Sequence, residues 1–435
     1  MKIRQRTKSM CGRVVRQVLC LVLIVSAPLF ASAQEHNASP VLIRAERVFD
    51  GHHVRTHTAV LIRDGKVAET GPASQLKPEG ATVIDLGDAT LLPGFIELHA
   101  HLTYKKVPED TVLRHGITTL RDVGGPVHPP RGGNGTLRVM TSGPILTAPQ
   151  GYPIPALGTA NIAIPIHNEG EARKTVRDLI AKGAVVIKIA LEPGGEHRAP
   201  WSMHHAHGHG HATPASHQEK ADHTHKAKTP HTGPHSSQHS SHTPASSHWP
   251  LLPESVVKAI VDEAHRHNRS VTAHVGEERG VRIALAAGVD EWAHMPCDPI
   301  PESLLKQAVA QNVTIVSTLD TLSKCTGIQQ NAKMWKALGG SLLYGAEIAH
   351  PDIPWGIDGQ ELLYLMQWAG KNPMEILRAA TSHSGKHLGV PLLGTLEPGA
   401  PADLIAVKGN PLHGLKALEY PDLVISGGHV VVNRF

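Results

Sequence analysis

The stretch FIELHAHL contains two histidines, His99 and His101, with one residue between them. Side chains two positions apart on a β-strand point to the same face, so both imidazoles would project together from one strand. A lone histidine in an apolar strand most often packs in the core. Two at this spacing, directly after Pro93 and Gly94, favour a pair of metal ligands, because imidazole is the commonest metal ligand in proteins.

Three further residues add to this candidate metal site. Lys188 lies in the middle of the apolar stretch VVIKIA, where burial of an ammonium group is costly unless the charge is paired or neutralised. The alternative is a lysine that reaches from a strand end to solvent. His274 in VTAHVG and His294 in EWAHMP lie near the ends of the next two apolar strands. Together these residues form a candidate set of metal ligands.

The central part of the chain contains the elements that would position these residues. Short apolar strands alternate there with helix-like runs, which is typical of βα units around a parallel sheet. Eight such strands predict an α/β fold, a (β/α)8 TIM barrel, over residues 93–390, with the active site at the carboxyl ends of the strands. The predicted strands span residues 94–101, 118–123, 138–143, 185–190, 270–275, 291–296, 314–319 and 342–347.

Both ends of the chain have a different pattern. Residues 34–92 contain short strand-like runs such as AVLIRDGKVAETG, and residues 391–435 contain DLVISGGHVVVN. Gly and Asp turns separate these runs, as expected for β-strands joined by tight turns. We therefore predict a small β-sandwich that is built from both terminal segments.

Residues 201–248 interrupt the βα pattern with a stretch rich in His, Ser, Thr, Pro, Ala and Gly. This stretch has no hydrophobic period, so we predict a disordered insertion within the barrel, in the loop after the fourth strand. Its histidines could capture zinc near the active site, or the insert could be merely solvated with incidental metal affinity. The candidate auxiliary ligands are His204, His205, His207, His209 and His211.

The N-terminus resembles a secretory signal peptide over residues 1–33. Six basic residues and no acidic ones precede the short apolar run VLCLVLIVSAPLF, and ASA at Ala31–Ala33 is a small-residue cleavage signal. The apolar run is too short to favour the alternative of a membrane anchor. We therefore expect an exported chain, periplasmic or secreted, with no membrane association after cleavage.

Cleavage would also change the charge and the cysteine count. The chain has 42 basic and 38 acidic residues, and six of the basic ones belong to the leader, so nucleic-acid binding gains no support. Cys297 and Cys325 would remain in an oxidising compartment. They could form one disulfide between neighbouring barrel loops or stay as two free buried thiols.

The ordered motifs resemble those of the amidohydrolase superfamily of metal-dependent hydrolases. PGFIELHAH is similar to the family's first-strand motif, GITTLRDVGG to its second-strand segment, and PLLGTLEPGAPADLIAV to its return into the terminal β-sandwich. The resemblance extends from about Val41 to the C-terminus, apart from the His-rich insert. It is greatest to the branch with imidazolonepropionase-like and Xaa-Pro dipeptidase-like enzymes.

The resemblance implies a site for two divalent metal ions. His99 and His101 would bind one ion, and His274 and His294 the other. Lys188 would react with CO2 to form a carbamate that bridges both ions. This reaction would also remove the unfavourable buried ammonium group. Zn2+ suits such ligands best, although Mn, Co and Fe remain open.

Two positions depart from the family pattern. The eighth-strand residue is normally Asp, but LLYGAEIAHPDIPWG has Glu347 there, one methylene longer. We assign Glu347 as metal ligand and catalytic base, with Asp352 and Asp358 as nearby alternatives off the strand. PQGYP stands where relatives often have a Gly-Gly-His-type loop, and its Tyr152 either faces the substrate or packs on neighbouring loop residues.

The resemblance implies amide hydrolysis. A metal-bridged hydroxide would attack the amide bond of a dipeptide or N-acyl amino acid, and Glu347 would pass the proton to the leaving group. Lactone or phosphotriester hydrolysis by the same site is the alternative. A rival hypothesis is a zinc-binding protein on a catalytically weakened barrel. The expected partner is a small-molecule or short peptide substrate, and homo-oligomerisation is left open.

Overall fold

A computed structural model describes residues 39–194 and 248–435 of the chain. The predicted signal peptide and the predicted auxiliary ligands of the insert lie outside these ranges. No helix among the described residues has both the length and the apolar composition needed to cross a membrane.

The strands of the described ranges are grouped into one mixed sheet and two parallel sheets. In chain order they are β1 (Val41–Phe49), β2 (Val54–Arg63), β3 (Lys66–Pro72), β4 (Thr82–Asp85), β5 (Ala89–Pro93), β6 (Phe95–Ala100), β7 (Ile117–Asp122), β8 (Arg138–Thr141), β9 (Ile145–Thr147), β10 (Ala163–Pro165), β11 (Ile187–Ala190), β12 (Val271–His274), β13 (Glu291–Trp292), β14 (Thr314–Val316), β15 (Ser341–Leu343), β16 (Leu404–Lys408), β17 (Leu423–Ser426) and β18 (His429–Asn433).

Most helices connect consecutive parallel strands. In chain order they are α1 (Leu102–Lys105), α2 (Glu109–Arg114), α3 (Ile154–Leu157), α4 (Glu169–Ala181), α5 (Glu254–Arg266), α6 (Glu278–Ala287), α7 (Glu302–Ala310), α8 (Ile328–Ala337), α9 (Gly359–Gln367), α10 (Pro373–Ala380) and α11 (Ser382–His387), with 3-10 turns at Pro411–His413 and Leu415–Glu419.

The mixed sheet combines both ends of the described chain. Its order is β18-β17-β16-β5-β1-β2-β3, with β4 paired to β1. Strand β16 pairs antiparallel with β5, so a C-terminal strand continues the sheet that the N-terminal strands begin. Both termini thus contribute strands to one sheet, whereas the β-sandwich and its boundaries at residues 92 and 391 stay predictions.

The parallel strands form two sheets, β6-β7-β8 and β10-β9-β11-β12-β13-β14-β15. All eight strands predicted from the sequence are present, as β6, β7, β8 and β11 to β15. β7 has the predicted length but begins one residue earlier, and the other seven are shorter than predicted. The amide of Val185 donates to the carbonyl of Thr141 (2.9 Å), and a parallel bridge joins Ala100 to Ile348. The strands thus follow one another as parallel neighbours in chain order, which confirms the α/β class.

Local capping fixes where several helices begin. The side chain of Asn168 accepts a hydrogen bond from the amide of Glu171 at the start of α4. Asn372 and Glu375 form a reciprocal capping box at the start of α10. These side chains satisfy amides that the first helical turn leaves without partners, so each helix starts at a defined distance from the strand before it.

A buried ion pair braces the interior of the parallel strands. Arg121 of β7 forms two hydrogen bonds with Glu291 of β13, at 2.6 and 3.1 Å, and donates a third to the carbonyl of Leu98. His387 of α11 lies 2.5 Å from the same carboxylate. Burial opposes ionisation of Glu291, but Arg121 and His387 outweigh it and hold the pKa of Glu291 below its usual range.

Glu291→Gln is expected to lower the free energy of unfolding by about 3–5 kcal/mol, because it leaves the buried charge of Arg121 uncompensated. The depressed pKa means that the carboxylate stabilises the fold above the unfolded pKa of Glu and loses this effect as pH falls through the folded pKa. Urea unfolding of both proteins between pH 2 and pH 7 measures this, because the wild-type advantage should be full above the unfolded pKa of about 4.3 and should shrink at lower pH. Glu302→Gln, at an exposed pair with Lys306, is the control and should change stability little.

Cys297 and Cys325 form a disulfide, with Cα atoms 5.0 Å apart. Of the two alternatives, the structure therefore has the bridge between neighbouring loops. It closes a loop with a sequence separation of 28 residues. In the chain-entropy account, a loop of this length stabilises the folded state by about 3–4 kcal/mol.

A Cys297→Ser, Cys325→Ser double variant should lose this stabilisation and unfold at lower urea concentration than the oxidised wild type. Dithiothreitol should lower the wild-type midpoint toward that of the variant and leave the variant unchanged. Mass spectrometry of the unreduced protein checks the bridge directly. Two free thiols in the native protein would contradict it.

Candidate metal centre

His99 lies on β6, fully buried, and His101 follows directly after the strand. Nδ1 of His99 donates to the carbonyl of Ala293 at 2.8 Å, because a carbonyl can only accept. That hydrogen bond fixes the tautomer in which Nε2 keeps its lone pair. The two Nε2 atoms lie 3.2 Å apart, so the imidazoles converge as the spacing predicted.

Glu347 joins this pair from the loop after β15, four residues beyond the end of the strand. Its backbone has φ of 66°, a left-handed conformation that is uncommon outside glycine. Its Oε1 lies 3.7 Å from Nε2 of His101, and its Oε2 lies 3.9 Å from Nδ1 of His294. The potential donor atoms of His99, His101 and Glu347 all lie within 4.8 Å of one another. The prediction that Glu347 stands on the strand itself was wrong, but its side chain reaches the histidines.

The structure also brings His274 and His294 to this centre. The ring of His294 lies 4.4 Å from that of His99 and 4.7 Å from that of His274, between centroids. Nδ1 of His294 lies 2.9 Å from the hydroxyl of Thr318, and Nε2 of His274 lies 3.7 Å from Glu192. Four imidazoles from three different strand ends therefore form one cluster.

Lys188 lies on β11, and its side chain is almost fully buried at 1% exposure. Its Nζ has no hydrogen-bond partner among the described residues. Burial lowers the pKa of Lys188 to about 7, while the carboxylates of Glu347 and Glu291 oppose the shift. An amine left without a partner beside four imidazoles is the feature of this site that needs a chemical explanation.

The electrostatics favour imidazoles that can act as ligands. Burial lowers the pKa of each of the four, and the nearby Lys188 adds to the effect, so the rings are neutral near pH 7. At His274, burial and Lys188 outweigh the opposing effect of Glu192. Burial and the neighbouring Glu97 raise the pKa of Glu347 to about 8 against the opposing effect of Lys188. Shifts of this kind concentrate at functional sites.

Glu97 supports this centre through backbone contacts that were not predicted from the sequence. Its fully buried carboxylate accepts hydrogen bonds from the amide of His99 at 2.7 Å and from the amide of Ala346 at 2.9 Å. It thereby ties β6 to the segment that carries Glu347. The available signal was an acid in an apolar strand, two residues before His99 and on the same face.

Three other supporting contacts were not predicted from the sequence. The ring of Tyr104 stacks in parallel on the ring of His101, with centroids 4.3 Å apart. The hydroxyl of Thr318 approaches His294, and that of Thr321 donates to the carbonyl of Ala346 at 2.9 Å. Tyr104 is only three residues from His101, on α1, whereas Thr318 and Thr321 come from a segment distant in sequence, so no local pattern points to these two.

Of the remaining predicted residues, one lies beside the histidine cluster and two lie outside it. The ring of Tyr152 lies 4.9 Å from the ring of His274, which places it beside the cluster. Asp352 is exposed and lies 3.9 Å from Lys324. Asp358 caps α9 by accepting hydrogen bonds from the amides of Gln360 and Glu361. Neither aspartate belongs to the histidine cluster, which leaves Glu347 as the eighth-strand carboxylate.

Comparisons with known proteins agree with one another. The sequence profile of the family described as "Amidohydrolase family" matches residues 90–431. The ochratoxinase of Aspergillus niger is 31% identical over 184 residues, which is 39% of this chain and 38% of that protein. The sequence match thus spans about two fifths of the length of this curated relative.

Solved structures show the same fold over almost the whole chain. The ochratoxinase of A. niger superposes with a TM-score of 0.67 at 19% identity, over 91% of this chain and 96% of that one. A Xaa-Pro dipeptidase with methionine bound in its active site gives a TM-score of 0.67 at 19% identity, over 90% and 99% of the two chains. At such identities the likeness concerns the fold alone, which is TIM-barrel-like.

Proposed function

This chain belongs to the amidohydrolase family, and from that premise we propose that it is a metal-dependent hydrolase that cleaves the amide bond of a dipeptide or an N-acyl amino acid. One observation carries the proposal: four buried imidazoles, a buried lysine and a buried glutamate meet at the carboxyl ends of parallel strands. Such strand ends are where barrel enzymes hold their active sites.

The residues fit a pair of divalent ions. The tautomer of His99 leaves Nε2 available, and the donor atoms of His99, His101 and Glu347 are close enough to share one ion. His274 and His294 would hold the second ion. Nitrogen and carboxylate ligands favour Zn2+. When bound, the ions supply Lewis-acid polarisation of a carbonyl and lower the pKa of water.

Lys188 fits the role of a carbamylated bridge. A buried ammonium without a hydrogen-bond partner is unfavourable. Burial favours the neutral amine, which would add CO2 and release a proton to give a carbamate, an anionic oxygen ligand for the metal ions. Lys188 pairs in register with Thr272 of β12, the strand that ends at His274. This register supports a position for Lys188 beside both metal sites.

Glu347 is the residue that we assign to proton transfer. Its carboxylate stands 3.7 Å from a ring nitrogen of His101 and 3.9 Å from one of His294, inside the cluster rather than at its rim. In this role, with bound cations countering the burial that raises its pKa, the carboxylate would accept a proton from the attacking water and return it to the leaving nitrogen. Glu97 keeps the backbone around Glu347 in place through the amide of Ala346.

The finer architecture and the location of the protein are also proposals. The eight parallel strands would close into a (β/α)8 barrel, supported by the bridge between Ala100 and Ile348. The mixed sheet would form the terminal β-sandwich. Export to the periplasm or medium is supported by the N-terminal leader pattern and by the disulfide, which favours an oxidising compartment.

A substrate panel tests the proposed function. Purified zinc-loaded protein is assayed with dipeptides, N-acyl amino acids, lactones and phosphotriesters, and kcat/KM is compared across the four classes. Amides should be the best class. If only lactones or phosphotriesters react, the amide assignment is wrong. If metal binds at the cluster but no class reacts, the chain is a zinc-binding protein on an inactive barrel.

A further inference from the structure

The ring of Tyr152 contacts two other rings, that of the candidate metal ligand His274 and that of Trp249. The ring of Tyr152 lies 4.9 Å from that of His274 and 5.5 Å from that of Trp249, between centroids. The planes of Tyr152 and Trp249 differ by 28°, which is close to stacked. We call Tyr152 and Trp249 the aromatic wall, because their rings contact each other and the ring of Tyr152 also contacts that of a candidate metal ligand.

Backbone contacts hold this wall in place. The amide of Trp249 donates to the carbonyl of Pro193 at 2.9 Å. The loop that carries Tyr152 packs closely on the residue after Trp249, since a Cβ on Gly151 would lie only 2.8 Å from the carbonyl oxygen of Pro250. Only glycine permits this approach. The two rings therefore come from separate segments that are fixed against each other.

The wall offers an aromatic surface beside the reacting groups. Both residues are half-buried rather than enclosed in the core. Aromatic rings favour other rings in offset-stacked or edge-to-face geometry, with a gain beyond simple burial of area. A saturated side chain of equal size gains the burial alone.

We infer that the aromatic wall is a specificity subsite for an aromatic side chain next to the scissile amide. This inference rests on the proposed amide hydrolysis and names the substrate class of the same site: N-acyl amino acids and dipeptides with Phe, Tyr or Trp. Tyr152 and Trp249 would recognise the ring, while the histidine cluster and Glu347 act on the amide.

Matched substrates separate ring recognition from hydrophobic size. The wild type should hydrolyse N-acetyl-phenylalanine with a kcat/KM roughly three- to tenfold above that for N-acetyl-cyclohexylalanine, which has a saturated ring. Tyr152→Leu and Trp249→Leu should each reduce this ratio to about one, mainly through KM. Tyr152→Phe should keep the preference, because it keeps the ring. Tyr420→Leu, at a 66% exposed aromatic residue, is the control and should leave the ratio unchanged.

Calorimetric binding of the same two ligands keeps this test separate from catalysis. If no amide is cleaved, the proposed function fails, but tighter binding of the phenyl ligand that is lost in Tyr152→Leu still supports the wall. Equal kcat/KM and equal affinity for the two ligands in the wild type would overturn the inference. So would a preference that persists in both leucine variants.

Discussion

Lys188→Ala is expected to lose most of its bound metal and to hydrolyse amides at least about 10³-fold more slowly, a barrier increase of roughly 4 kcal/mol. The lysine side chain is 1% exposed and has no hydrogen-bond partner through Nζ in the described structure. If a carbamate on this side chain joins the two metal ions, its removal leaves both ions with fewer ligands. Metal content after dialysis and kcat on the best amide measure the two effects.

Chemical rescue distinguishes a lost ligand from a damaged fold. Short carboxylic acids can occupy the space left by the side chain and should restore part of the activity of Lys188→Ala. Lys306→Ala, which removes an exposed lysine paired with Glu302, is the matched control and should keep full metal content. Full metal content and a wild-type rate in Lys188→Ala would end the assignment of Lys188.

Glu347→Gln is expected to keep the fold and much of the metal while kcat falls by about 10²- to 10⁴-fold. The amide of Gln can still offer an oxygen to a cation, but it cannot accept and return a proton. Circular dichroism, metal analysis and steady-state kinetics on the same preparation separate these effects. KM should change little, because the assigned role concerns proton transfer rather than substrate binding.

The neighbouring aspartates provide the control for this assignment. Asp352→Asn alters an exposed residue beside Lys324 and should retain wild-type kcat. If Glu347→Gln were as active as wild type while Asp352→Asn was inactive, the wrong carboxylate would have been chosen. Asp358 is a less suitable test, since its carboxylate caps α9 and its replacement would also weaken that helix.

The parallel strands and most of the cluster were predictable because their signals are local. An apolar run such as VVIKIA indicates a buried strand by itself, and the lysine within it stands out against that background. The convergence of His99, His274 and His294 then followed from one general rule, that functional residues of such folds lie at the carboxyl ends of the strands. No contact had to be known in advance.

The partners of the supporting residues could not be predicted, because they are distant in sequence. Glu97 matters through the amide of Ala346, 249 residues away, and the ring of Tyr152 meets Trp249 across the His-rich segment. The left-handed backbone that turns Glu347 into the cluster also has no local sequence signal, as glycine would have given. Such contacts depend on how loops pack, which the residue pattern of each loop does not determine.

The central claim is that metal ions held by this cluster are required for amide hydrolysis, and titration of the metal-free protein with zinc tests it most directly. Protein stripped of metal by a chelator is supplied with bicarbonate and increasing zinc, and hydrolysis of the best amide is followed together with bound metal. We predict no hydrolysis without metal and a plateau when two ions per chain are bound. Undiminished hydrolysis by the metal-free protein would contradict the account.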